Sequence, residues 1–281
     1  MLSFDEYKNY VDNHLLDYIP TINEYASKII ESVKYSLTVG GKRIRPILLL
    51  AACEFAGGNL NEAIPYACAI EYIHTYSLIH DDLPAMDNDD IRRGKATNHK
   101  VYGEDIAILA GDALLNTAAQ TLYSQMIKNV DKKSSIFHAR AGYEIMSAAG
   151  IEGMIAGQVA DVINQNKKCS AELVDYIQEN KTGKLLIAPV IAGLNLAGAS
   201  NDIINDFNVY AKNLGKAFQI SDDILDFGED GNSNYANVHG IDEARAELHR
   251  LTDEAIESIE KYGEKAYFFK DLALTLETRE A

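Results

Sequence analysis

The chain has 281 residues, only five prolines and no tryptophan, and 47% of it is apolar, which allows a large core and favours helices over strands. Its formal charge of −16 excludes a general nucleic-acid binder, which needs excess lysine and arginine against the phosphate backbone. The opening MLSFDEYKNYVDNHLL carries acids at helical period, unlike a signal peptide, and Cys53, Cys68 and Cys169 lack CxxC spacing, which suits reduced thiols in a cytoplasmic protein.

Helical periodicity runs through nearly the whole chain and predicts an all-α protein of roughly ten helices. The breaks fall at Val39-Gly40-Gly41, Gly57-Gly58-Asn59, Gly94, Gly103, Gly183, Gly198 and residues 228–234. No linker divides it, so residues 1–281 are expected to form one domain, a single large helical bundle. The first motif is GGKRIRP at 40–46, where two glycines allow a tight turn and Lys42, Arg43 and Arg45 follow. It suits an anion, but it lacks the GxxxxGK[ST] spacing of a P-loop and no strand precedes it.

The next stretch, 71–93, crowds chemistry together. His74, Ser77 and Asp81 are spaced i, i+3 and i+7 and share a helix face. HDDLPAMDNDD then packs five aspartates into 80–90. Asp81 and Asp87 would sit on different faces of an ideal helix at about 100° per residue. Pro84 cannot donate to the carbonyl of residue 80, so a kink or bulge is expected between them, and a local loop could turn Asp87 back toward Asp81. Arg92 and Arg93 follow at once; guanidinium forks match phosphate oxygens, so acids beside arginines suggest a diphosphate clamp, with an internal salt-bridge network as the competing reading.

Further on, ENKTGKLL at 179–186 places a lysine, a threonine and a glycine at a helix interruption. The apolar run 185–199 is shorter than the ~18 residues of a membrane span and contains Pro189 and Asn195, so it reads as a buried helix and no stable membrane insertion is expected. In ISDDILDF, Gln219, Asp222 and Asp226 are spaced i, i+3 and i+7, with Asp223 more to the side. Stacked carboxylates repel unless water or a cation relieves them, and oxygen ligands suit Mg²⁺; a solvated acidic face is the plain alternative.

Together, GGKRIRP, EYIHTYSLIHDDLPAMDNDDIRRGKATNHKVYGEDIAILAGDALL, GQVADV, KTGKLL and FQISDDILDFG, in this order, resemble the short-chain trans-isoprenyl diphosphate synthases, nearest the bacterial farnesyl diphosphate synthase (geranyltranstransferase) type. The resemblance covers nearly the whole chain. It implies an isoprenoid-synthase bundle around an apolar cavity. Asp81, Asp82 and Asp87 match the family's first acidic motif, and Asp222, Asp223 and Asp226 match its second. Asp81, Asp87 and Asp222 are the implied metal ligands, for three Mg²⁺ in the substrate complex. Arg92, Lys181, Thr182 and Gln219 fall to the allylic diphosphate, and Lys42, Arg45, His74 and Arg93 to isopentenyl diphosphate. The six aspartates with Arg92 and Lys181 form the implied catalytic set.

The implied reaction ionises dimethylallyl or geranyl diphosphate, adds isopentenyl diphosphate to the allylic cation and releases pyrophosphate, giving farnesyl diphosphate (C15). The family places the floor of the product cavity at Tyr76 and Ser77, ahead of the first motif. A helical wheel puts Ser77 about 40° and Tyr76 about 140° from Asp81, so the resemblance rather than the wheel selects the tyrosine; a plain core tyrosine is the alternative. A homodimer is implied as well.

One segment departs from the pattern. After FQISDDILDFG the chain reads EDGNSNYANVHGIDEA, a shortened loop without the family's diphosphate-binding lysine, in which Tyr235 matches the family tyrosine. A geranylgeranyl diphosphate synthase (C20) and a catalytically impaired subunit of a heteromeric synthase are the nearest alternatives. His80-Asp81 lacks the further histidines that a phosphohydrolase of His-Asp type requires. A class I terpene cyclase would carry a mixed Asn/Ser/Glu second motif in place of the aspartates.

Overall fold

The computed structural model describes residues 1–165, 167, 169–228 and 234–278. Helix α1 (Phe4–His14) starts on a capping box between Ser3 and Glu6, which satisfies amide groups that the first turn leaves open. Helices α2 (Ser27–Thr38), α3 (Ile44–Phe55) and α4 (Leu60–Asp81) follow. A hairpin of β1 (Ile91–Arg92) and β2 (Lys95–Ala96) leads to α5 (Asn98–Tyr102), α6 (Glu104–Lys128) and α7 (Ser135–Ala149). Then come α8 (Met154–Asn164), α9 (Ala171–Ile177), a π-helical stretch (Gln178–Gly183) and α10 (Lys184–Leu196). The chain ends with α11 (Asn201–Leu225), α12 (Tyr235–His239), α13 (Ile241–Ile259) and α14 (Tyr267–Glu277).

The protein is all-α apart from the hairpin. Helix α4 is buried almost continuously from Ala63 to Tyr76, and α10 from Leu185 to Leu196 apart from Ile187. A helix apolar on all sides belongs in the centre of a bundle, and α3 packs against both of them. The crossing of α10 on α3 is close enough that a Cβ at Gly193 would lie 2.2 Å from the Leu49 carbonyl oxygen. Around this centre stand α6, α7 and α11. Phe207 of α11 and Phe269 of α14 dock their rings on Phe55 of α3 at 4.6 and 6.0 Å.

Three expectations need correction. The helix count exceeds ten among the described residues, because short pieces such as α5 and α12 carry no readable period. The hairpin was not foreseen; Arg93 (φ 52°) and Gly94 (φ 74°) both adopt positive φ, the type I′ arrangement that closes two-residue hairpins. Gly183 does not break a helix, since its φ of −58° is helical and the chain passes from α9 into α10 through the π stretch. The shortened loop after Gly228 falls on residues 229–233, outside the described residues. Cys53, Cys68 and Cys169 are free and buried, and burial pushes the Cys53 thiol up to about 12. No helix among the described residues is long and apolar enough to cross a membrane.

Candidate active site

Helix α4 carries His74, Tyr76, Ser77 and Asp81 on its last two turns and stops there, with Asp82 as its C-cap. It does not kink or bulge as Pro84 led one to expect. Pro84 has no N–H to offer the carbonyl of His80, and the Leu83 amide takes that carbonyl instead, at 3.2 Å. The chain then folds back: the Asp87 amide donates to the Asp81 carbonyl at 2.9 Å and the Asn88 amide to the Leu83 carbonyl at 3.1 Å. Asn88 closes this turn with φ 55°, a conformation asparagine tolerates better than most residues.

Two acids six residues apart are thus adjacent. Burial pushes the Asp81 carboxyl up to about 6, with the Lys181 ammonium acting the other way and the Asp87 charge adding to the rise. Burial also raises Asp87, again opposed by Lys181. Asp87 accepts a hydrogen bond from Gln165 Nε2 at 2.8 Å, and neither acid is directly ion-paired among the described residues. Asp82 has a different role. It is buried and takes Arg92 Nε at 2.6 Å and Nη2 at 2.5 Å, while Asp89 takes Nη2 at 3.2 Å. Burial still raises the Asp82 carboxyl against that arginine. The salt-bridge network is therefore real for Arg92. Arg93, at the hairpin turn, donates to the Gly40 carbonyl.

The GGKRIRP segment divides its cations. Arg43, with φ 54° at the start of α3, turns inward to Glu71 at 2.6 Å, Asp12 at 2.9 Å and the Leu37 carbonyl at 2.6 Å. Arg45 instead donates from Nη1 to His74 Nε2 at 3.3 Å. Since arginine only donates, the His74 proton sits on Nδ1. Burial, followed by the surrounding arginines with Arg45 first, pushes the imidazole well below its usual range, so His74 is neutral. Burial also lowers Arg45 to about 10, against the charges of Glu71 and Asp222, and its buried Nε has no partner among the described residues. Lys42 is exposed and lines a separate groove of about 1030 Å³ with Phe4 and Phe268. The chain thus brings Arg45 and His74 together and leaves Lys42 outside their pocket.

Lys181 and Thr182 lie in the π stretch, whose wider turn is common at functional sites. A Cβ at Gly157 of α8 would lie 2.1 Å from the Lys181 backbone nitrogen, so only glycine admits this approach. One turn further along α8, Asp161 holds the Lys181 ammonium at 2.6 Å. Gln219 on α11 donates from Nε2 to Thr182 Oγ1 at 3.1 Å. Asp222 follows on α11, and Asp226 caps the helix by donating its amide to the Asp222 carbonyl at 3.0 Å. Asp223 Oδ2 accepts from Gln178 Nε2 at 2.5 Å and from the Tyr235 amide at 2.6 Å. Burial nevertheless pushes that carboxyl up to about 6.

Part of this set lines a cavity of about 470 Å³. Arg45, His74, Asp81, Lys181 and Thr182 belong to its polar lining, and Tyr76, Leu115, Met154 and Leu185 are among its apolar walls. Ser77 lines it as well. Tyr76 is only 7% exposed, and its ring meets His80 edge-on at 5.8 Å; burial pushes its phenol up to about 12. Among the described residues no group of three or more His, Cys, Asp or Glu is placed to hold an ion by itself. The Asp81–Asp87 pair nevertheless fits Mg²⁺, which takes one or two carboxylates and completes its shell with phosphate oxygens and water. Three contributors had no role assigned from the sequence: Asp161, Gln165 and Gln178. Only Asp161 left a signal, since GQVADV sets it one helical turn after Gly157.

An all-α bundle around a largely apolar cavity whose lining includes an aspartate, an arginine, a histidine and a lysine suits an anionic ligand with an apolar tail. The sequence pattern of the Polyprenyl synthetase family matches residues 26–246, and the chain belongs to that family. It is 44% identical over 276 residues to the geranylgeranyl diphosphate synthase of Cyanophora paradoxa, covering 93% of this chain and 90% of that one. To the farnesyl diphosphate synthase of Bacillus subtilis (strain 168) it is 45% identical over 219 residues, 78% of this chain and 73% of that one. Among solved structures, an FPP/GFPP synthase from Zymomonas mobilis superposes with a TM-score of 0.89 at 30% identity, over 98% of this chain and 97% of that one. The protein is a trans-prenyltransferase.

Proposed function

We propose that this enzyme condenses isopentenyl diphosphate with dimethylallyl or geranyl diphosphate, in the presence of Mg²⁺, to make farnesyl diphosphate. The observation that carries the C15 product is Tyr76, a large and nearly buried side chain in the cavity wall five residues ahead of Asp81. A growing chain anchored by its diphosphate at the polar lining runs down past this ring. The similarity to the Bacillus subtilis enzyme supports the same product.

In this reading Lys181, Arg92, Thr182 and Gln219 bind the allylic diphosphate, and Arg45, His74 and Arg93 orient isopentenyl diphosphate, which Lys42 would join only by swinging in from its own groove. Mg²⁺ held by Asp81, Asp87 and Asp222 would neutralise the leaving pyrophosphate. His74, whose one unprotonated nitrogen is taken by Arg45, and the charged Arg45 offer N–H groups and no free base, which leaves the departing pyrophosphate to take the final proton. The apolar walls around Leu115 and Met154 exclude water from the allylic cation, which would otherwise end as an alcohol. Arg92 must exchange part of its grip on Asp82 and Asp89 for phosphate.

The second reading is a C20 product, favoured by Ser77, which also lines the cavity, and by the similarity to the Cyanophora paradoxa enzyme. A homodimer accounts for the exposed apolar side chains Tyr123 and Ile127 on α6 and Tyr143 on α7, and free buried thiols suit a cytoplasmic enzyme. The test is incubation of the purified protein with labelled isopentenyl diphosphate, Mg²⁺ and each allylic diphosphate, followed by chromatography of the dephosphorylated products. A dominant C15 alcohol is expected. A dominant C20 alcohol overturns the product assignment, and no prenyl transfer at all would identify a silent partner subunit.

A further inference from the structure

Two side-chain bridges join α11 to the π stretch, and their spacing is matched. Gln219 reaches Thr182, and Asp223, four residues on, is reached by Gln178, four residues back. Residues four apart lie on one face of a helix, so the bridges form two successive rungs between antiparallel neighbours. Between them, on the same stretch, stands Lys181. The lower rung is the better enclosed: Gln178 is 6% exposed, and the oxygen it binds is shared with the Tyr235 amide. Asn234 adds a bond from Nδ2 to the Asp223 carbonyl at 2.9 Å.

We infer that Gln178 and Asp223 are positioning residues that hold the π turn open and so present Lys181 and Thr182 to the allylic diphosphate. Asp223 then acts through its hydrogen bonds to Gln178 and Tyr235, whereas the charge of its neighbour Asp222 is felt by Arg45. An α-helical stretch closes bonds from i to i+4 and a π stretch from i to i+5, so the wider turn is the less favourable one and needs outside contacts to persist. Here α11 supplies them through the two rungs, and α8 supplies backing through the close approach of Gly157 to Lys181. The same carboxylate oxygen also takes the Tyr235 amide, so the start of α12 and the start of the π stretch are tied to one atom.

The inference rests on Lys181 and Thr182 binding the allylic diphosphate, and the test separates the two ideas. Steady-state kinetics with geranyl diphosphate would be measured for Gln178→Leu, Gln178→His, Asp223→Asn, Asp222→Asn and Lys181→Ala, with each variant checked by circular dichroism. Gln178→Leu loses the donor and should raise KM for geranyl diphosphate about tenfold, the scale of one hydrogen bond to a charged group, while KM for isopentenyl diphosphate holds. Gln178→His keeps a donor and should recover most of the loss. Asp223→Asn keeps an acceptor oxygen and should raise the same KM no more than Gln178→Leu does, with kcat little changed, while Asp222→Asn should lose kcat as well. If Asp223→Asn is as damaging as Asp222→Asn, or folded Gln178→Leu matches the parent while Lys181→Ala does not, the positioning role is wrong. If Lys181→Ala itself leaves KM unchanged, the diphosphate assignment fails instead. Should Gln178→Leu not fold, the histidine and asparagine variants decide.

Discussion

The Asp87 amide donates to the Asp81 carbonyl at 2.9 Å, and this one backbone bond brings two acidic residues within range of each other's charge at the end of α4. Without a cation the arrangement is unfavourable, because burial raises both acids and Lys181 offsets only part of the cost. A folded-state value of about 6 for Asp81, against an ordinary 3.8, means that the folded chain holds this proton more tightly than the unfolded one. Stability from this group is therefore lost as pH rises through that window. In EDTA, Asp81→Asn should raise the melting temperature by a few degrees near pH 8, with the difference fading toward pH 4. The same variant should lose activity by orders of magnitude. Equal melting curves at both pH values would show that Asp81 is not strained.

Tyr76 is the next test. Replacing it by alanine removes the ring from the cavity wall and should shift the product mixture from C15 toward C20 and longer alcohols, read by chromatography. A variant that still released only C15 would move the floor of the cavity elsewhere, with Leu115 and Met154 as the remaining walls to examine.

Arg43 and Arg45 are two residues apart and should behave oppositely. Arg43→Met strands Glu71, which is 2% exposed, and breaking such a pair costs about 3–5 kcal/mol. Adding Glu71→Leu should restore much of the stability in denaturant titrations. Arg45→Met removes a cation that is itself poorly paired, so stability should change by about 1 kcal/mol or less, while KM for isopentenyl diphosphate rises at least about tenfold. Loss of stability in Arg45→Met comparable to that in Arg43→Met would contradict this division.

Gly157→Ala adds one methyl group where the Lys181 backbone stands 2.1 Å from the new carbon. Alanine favours a helix over glycine by up to about 1 kcal/mol, yet overpacking costs roughly 1–3 kcal/mol. The net expectation is a lower melting temperature together with a higher KM for the allylic substrate. A more stable variant with unchanged kinetics would mean that α8 simply moves aside.

Much of this was legible in the residues. The apolar run after Lys184 announced a central helix, the paired aspartates marked the two helix ends, and Pro84 signalled that the first motif could not stay helical. What stayed hidden depended on single backbone choices. A left-handed φ at Arg43 sends one arginine into the core and leaves Arg45 for the cavity, and nothing in GGKRIRP distinguishes them. The hairpin is too short to alternate visibly. The π stretch has no period of its own over six residues, so Gly183 passed for a break, and Gln178 looked unremarkable because its partner lies 45 positions away.

That stretch also sets a reading frame. Because a π turn amounts to one extra residue in an otherwise regular helix, deleting a single residue between Gln178 and Gly183 would let α9 and α10 fuse into a plain α-helix. The helices on either side would keep their faces, since the wide turn absorbs the extra residue without rotating its flanks, and only the opening that carries Lys181 and Thr182 would close. The apolar half would keep its seat in the bundle, and the lysine would lose its bearing on the cavity. The bearing of the lysine thus depends on one inserted residue, and a one-residue deletion here should silence the enzyme while leaving a folded protein behind.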